Sequence, residues 1–195
     1  MELTKRRPGR QRSEAAGELI LATTLDCLRE WGYAGLTMAG VIERAGVSSA
    51  TLYRRWATKP ELVAAAIDFL APEPTELDTG SFESDVTALL RHIAQAYALR
   101  NAFGESMLGD AMVDDELIKM INEKIVGPRV RLIGCMLDRA VARGELIDPP
   151  TAEIAHALLV GPLYYRLKAS LQEITPKFLA EVSRHGMRGL GAHRS

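Results

Sequence analysis

A chain of 195 residues, 47% apolar and with two cysteines, is long enough for one sizeable core plus a small satellite domain. No run of 18 apolar residues occurs, and no apolar stretch follows the charged N-terminus. That argues against a membrane span and a secretory signal, and leaves a cytoplasmic protein as the expectation. The net charge of -1 conceals an asymmetry: residues 1–60 carry ten Lys or Arg against six Asp or Glu, and the remainder carries 14 against 19. A basic end on an acidic body is the footprint of one domain that faces phosphate.

Residues 1–13 have no apolar face and are broken at Pro8-Gly9, so they read as a flexible basic arm. From Glu14 to Trp31, apolar residues recur at Ile20, Thr24, Leu28 and Trp31, the period of an amphipathic helix, with Gly32 as its stop. Thr37 is a good N-cap for a helix over Met38 to Arg44. Ala45-Gly46-Val47 makes a corner at which both small residues let two helices cross closely, with Gly46 at positive φ. Ser48 opens a third helix through Arg55. Thr58 and Glu61 form a capping box around Pro60 for a fourth, ending near Leu70. The core of this unit is expected from Ile20, Thr24, Leu28, Val41, Ile42, Ala45, Val47, Leu52 and Leu62.

The Pro-rich segment from Pro72 breaks the pattern and places a domain boundary there, giving 14–71 and 72–195. Helices are predicted over 81–103, 111–121, 123–142, 151–169 and 175–190, with a bend at Gly127-Pro128 that could instead open a helix. No alternating β-branched run is long enough for a strand. The fold class is therefore all-α, about nine helices.

The third helix carries the chemistry. A helix-turn-helix places its second helix in the major groove, where short side chains let the backbone approach base edges. Ser48, Ser49, Ala50 and Thr51 are such residues, and Tyr53, Arg54 and Arg55 have longer reach. Phosphate contact is expected from Thr37, Tyr53 and Lys59, and base-edge contact from Ser49, Ala50 and Arg54. Arg6, Arg7, Arg10 and Arg12 of the arm could enter the minor groove or follow phosphates, and a merely solubilising tail is the alternative.

Taken in order, Trp31-Gly32-Tyr33, Leu36-Thr37-Met38, Ala45-Gly46-Val47-Ser48, Thr51-Leu52-Tyr53, Trp56 and Lys59-Pro60-Glu61-Leu62 resemble the DNA-binding domain of the TetR family of bacterial regulators. Ile42 departs from the alanine common there. The resemblance covers about a quarter of the chain closely. It implies an N-terminal helix-turn-helix domain followed by a helical ligand-binding and dimerisation domain, with phosphate-binding roles for Thr37, Tyr53 and Lys59.

It also implies an effector pocket among the fifth to seventh helices. Tyr97, Phe103, Met107, Met112, Met120 and Met136 would give it a soft apolar lining, and ordinary core is the bland alternative for each. Helix 151–169 has two apolar stripes, one for its own core and one for a partner. Ile154, Leu158, Gly161 and Tyr165, with Phe178 and Val182 of the last helix, are the expected homodimer interface.

No metal or cofactor is expected. The four histidines are dispersed and no HExxH, GxSxG or P-loop pattern occurs, which argues against an enzyme. The expected function is a repressor that binds a palindromic operator on double-stranded DNA and is released by a small, largely apolar effector. The alternative is a DNA-binding regulator or architectural protein without an effector.

Overall fold

The computed structural model describes residues 8–102 and 114–191; Arg6, Arg7, Phe103, Met107 and Met112 lie outside the described residues, as do the side chains of Arg10 and Arg12. The helices are α1 (Pro8–Gly35), α2 (Met38–Ala45), α3 (Ser49–Tyr53), α4 (Lys59–Leu70), α5 (Phe82–Ala102), α6 (Asp115–Ile121), α7 (Gly127–Ala142), α8 (Ala152–Lys168) and α9 (Pro176–Gly189). No β-strand occurs among the described residues. They form two compact units. One comprises residues up to Pro72 with the described part of Leu99–Lys124, and the other Glu73–Ala98 with Ile125 onward.

In the first unit, α1 begins at Pro8, earlier than the expected Glu14, because proline suits a first turn whose N–H groups have no acceptor. Gly32 does not end this helix. At φ 67 and ψ 177 it kinks the chain, and a last helical turn follows to Gly35. That backbone region is open essentially to glycine alone. Below the kink, α1 packs on α2 and α4. Ile20, Thr24, Leu28, Val41, Leu52 and Leu62 are fully buried. Each large aliphatic side chain so buried is worth about 1.5–3 kcal/mol. Thr24 satisfies its hydroxyl by donating to the Ile20 carbonyl at 2.7 Å. Ile42, Ala45 and Val47 are only partly buried, contrary to expectation. They flank the corner between α2 and α3, and each keeps part of its surface in water.

The second unit is built from most of α5 with α7, α8 and α9. Its core joins Phe82, Val86, Leu89, Ile93, Leu132, Met136, Leu159 and Leu163. The segment after Pro72, expected as a simple break, is strapped down by charge. Glu73 and Arg129, with side chains 4% and 3% exposed, form a bidentate pair. The Thr79 N–H donates to buried Asp85, and Arg139 donates to the Leu77 carbonyl. The bend expected at Gly127-Pro128 is a π-helical turn over Asn122–Val126, from which α7 continues. The physical reason lies in the proline ring. It has no N–H and crowds the carbonyl four residues back, and one wider turn absorbs both.

Candidate nucleic-acid interface

Sequence-local chemistry builds the corner on which the site rests. Thr37 caps α2 by accepting from the Gly40 N–H at 3.1 Å. At the other end Gly46 adopts φ 64 and ψ 31. Its N–H reaches the Glu43 carbonyl while the Val47 N–H reaches that of Ile42. These two bonds are the paired closure of a Schellman motif. Among the described residues nothing lies within 4 Å of the position a Gly46 Cβ would take. The expected close crossing is therefore not the reason for glycine here; the left-handed backbone is.

Ser48 then caps α3, accepting from the Thr51 N–H at 3.3 Å, with its hydroxyl 2.8 Å from that of Thr51. The helix closes at Tyr53, shorter than expected. Its inner side is fixed by Leu52, fully buried, and by Trp56. Its outer side presents Ser48, Ser49, Ala50, Tyr53 and Arg54 to solvent, with Thr51 half-buried. Thr37 is exposed at the start of α2, and Lys59 is half-buried at the start of α4.

Arg55 does not share that outer face, although its reach had suggested it would. Its guanidinium turns back onto α1, donating to the carbonyl and hydroxyl of Ser13. A Cβ added at Gly17 would meet it at 3.0 Å. Arg54 and Arg55 are adjacent in sequence, yet one faces outward and the other is a strut between α3 and α1.

Trp31 has a comparable task between α1 and α2. A Cβ on Gly40 would meet the indole at 3.0 Å, and the Arg44 guanidinium lies 5.4 Å from the ring centre. Arg44 also pairs with Glu30, which it holds below the usual carboxylate range.

A second group of residues was not legible in the sequence. The Tyr33 hydroxyl donates to Asp114 Oδ2 at 2.6 Å, across 81 positions of chain. Asp114 Oδ1 accepts from the Leu117 N–H at 2.9 Å and so caps α6. The Lys59 ammonium sits 4.2 Å from the Tyr33 ring centre. Burial pushes the Lys59 amine down from its usual 10.5, opposed by the Asp114 charge. Burial and the carboxylate push the Tyr33 phenol up, while its hydroxyl pulls Asp114 below the normal carboxylate range.

The residues expected in the second half divide. Met136 is buried in the core of the second unit, with Tyr97 half-buried against it, whereas Met120 lies half-buried on α6 of the first unit. On α8, Ile154, Leu158 and Tyr165 are 53%, 41% and 66% exposed, and Gly161 is open. The opposite side of that helix buries Ala155, Leu159 and Leu163. Val182 belongs to the core rather than to an open face, and Phe178 is half-buried. Both line an apolar groove of about 330 Å³ with Leu158, Pro162 and Gly186. Among the described residues, no helix is long and apolar enough to cross a membrane, and no acidic, histidine or cysteine group could hold a metal.

Comparison with known proteins agrees with this architecture. The profile described as bacterial regulatory proteins, tetR family, matches residues 20–66, and that of the tetracyclin repressor-like C-terminal domain matches residues 76–185. An HTH-type transcriptional regulator of Mycobacterium tuberculosis is 32% identical over 75% of this chain and 73% of its own length. The DNA-binding transcriptional repressor TetR of Mycobacteroides abscessus is 30% identical over 80% and 84% respectively. The solved TetR family transcription regulator SCO0332 shares the fold with a TM-score of 0.67 at 23% identity, covering 91% of this chain and 98% of its own. These relatives are regulators rather than enzymes. With a helix-turn-helix at one end and the matching helical domain over more than half of its length, the chain belongs to the TetR family of bacterial transcriptional regulators.

Proposed function

We propose that this regulator is a cytoplasmic repressor that binds a palindromic operator as a homodimer and lets go when a small, largely apolar effector occupies its second unit. The observation that carries the reading is the two-sided character of α3. Leu52, Trp56 and Arg55 lock its inner side, while Ser48, Ser49, Ala50, Tyr53 and Arg54 are exposed on the outer side. In that reading Ser49, Ala50 and Arg54 meet base edges, with Thr51 beside them. Thr37, Tyr53 and Lys59 meet phosphates, and Arg6 and Arg7, with Arg10 and Arg12 near the start of α1, extend the contact.

The exposed apolar stripe of α8 supports the dimer. Ile154, Leu158 and Tyr165 lie side by side on a helix whose other side is already satisfied, and such a patch on a soluble protein marks an interaction surface. Two copies joined there would present two recognition helices at roughly 34–36 Å, one turn of the duplex. The effector would enter beside Tyr97 and Met136 of the second unit, and would shift the balance between two spacings of the reading heads by its differential affinity for them.

The test is selection of bound fragments from a random duplex pool, followed by footprinting. An inverted repeat protected on successive major grooves is expected. Leu158→Asp with Tyr165→Asp should give a monomer in sedimentation and lose the paired footprint. Selection that returns no inverted repeat, or a double variant that stays dimeric, sinks the reading. Release of the selected fragment by a member of an apolar metabolite panel separates the effector-responsive repressor from a regulator without one.

A further inference from the structure

We infer that Tyr33 and Asp114 are positioning residues, which hold the Lys59 ammonium where it meets a backbone phosphate and so tie the grip of each reading head to the seat of α6. The inference rests on the reading of Lys59 as a phosphate contact.

Lysine has a long flexible stem and a strongly hydrated head. At a free helix start it would wander, and binding DNA would have to immobilise it. Here the head lies 4.2 Å from the Tyr33 ring centre, half out of water, on the negative face of an aromatic quadrupole. The ring itself is 5% exposed and cannot drift. Its hydroxyl donates to Asp114 Oδ2 at 2.6 Å. A phenol that leans its proton toward a carboxylate has a more electron-rich ring, which draws the ammonium more strongly.

Asp114 is in turn fixed by the helix it caps, through Oδ1 and the Leu117 N–H. One carboxylate therefore serves α6 with one oxygen and Tyr33 with the other. The four groups lie in series within one compact unit: helix cap, carboxylate, phenol, ammonium. A tyrosine wanted only for packing would have no need of this connection, since phenylalanine fills the same space. If α6 moves, Asp114 must either leave Tyr33 or carry it along, and Lys59 loses its seat in both cases.

The experiment measures the affinity of the full-length protein for a fragment it has itself selected, across a range of salt concentrations. Lys59→Ala should lower the salt slope by about one per subunit, the loss of one phosphate contact. Tyr33→Phe keeps the ring and removes the connection. Asp114→Ser keeps a helix cap but is too short to reach the phenol as well. Each should weaken binding about two- to fivefold per reading head, the range of an exposed cation–π contact. In a Lys59→Ala background the same changes should be silent.

A purely structural staple predicts otherwise, with Tyr33→Phe costing as much affinity without Lys59 as with it. That result, or full affinity in both Tyr33→Phe and Asp114→Ser, overturns the positioning role while leaving Lys59 as a DNA contact. An unchanged salt slope in Lys59→Ala overturns the DNA reading of Lys59 and the positioning role with it.

Discussion

Removing the carboxylate of Glu73 should unfold the second unit at much lower denaturant than expected for a residue in a loop. Glu73 and Arg129 are 4% and 3% exposed and meet through two hydrogen bonds, one of 3.0 Å from Arg129 Nε. Deleting one partner strands the other as an uncompensated buried charge, which costs about 3–5 kcal/mol. Glu73→Ala strands a guanidinium that cannot shed its proton, so the upper part of that range applies. With a urea slope of about 2 kcal/mol per molar, the midpoint should fall by roughly 2 M at unchanged slope. Ellipticity at a helical wavelength reads the transition. Both tryptophans, Trp31 and Trp56, belong to the first unit, so their fluorescence reports that unit separately. The paired replacement Glu73→Leu with Arg129→Met removes both charges and should recover most of the loss, because a well-packed apolar pair is often as good as a buried ion pair. A midpoint shift under about 0.5 M for Glu73→Ala, or a paired variant as unstable as the single one, would falsify the stranded-charge argument.

Gly46 offers a cleaner backbone test. Gly46→Ala meets no atom within 4 Å, so its loss should be the left-handed backbone alone, about 1–2 kcal/mol in thermal unfolding, with Gly46→Asn milder. A neutral alanine variant would mean that the corner relaxes out of φ 64. Stability should also respond to acid through His156. Burial and the neighbouring Arg129 charge hold its imidazole below the usual 6.5, Glu73 opposes them, and its Nε2 has no hydrogen-bond partner among the described residues. The unfolded chain therefore takes up the proton first. Stability is fully present above about pH 6.5 and declines as the pH falls from there through the lower folded value. His156→Gln should flatten that slope, which unfolding midpoints measured at a series of pH values would show.

Much of the fold was legible because its signals are local. Caps at Thr37, Ser48 and Thr58, the left-handed Gly46 and the apolar periodicity of α1 each involve residues within a turn or two of one another. Secondary structure follows when neighbours along the chain are also neighbours in space. On α8 the two apolar stripes were less decisive: of the stripe Ala157, Val160 and Tyr164 only Val160 is buried, and the side that packs inward is Ala155, Leu159 and Leu163.

What the sequence alone could not decide is which long side chain points where. Arg54 and Arg55 are chemically identical neighbours, and only the packing of α3 against α1 sends the second to Ser13 and leaves the first outside. Glu73 sat in a segment that reads as a linker, and Asp114 lay 81 positions from the tyrosine it meets. The charge of a side chain is written in its own code letter. Whether that charge becomes strut, buried pair or phosphate grip depends on which distant element supplies its partner, and tertiary packing decides that.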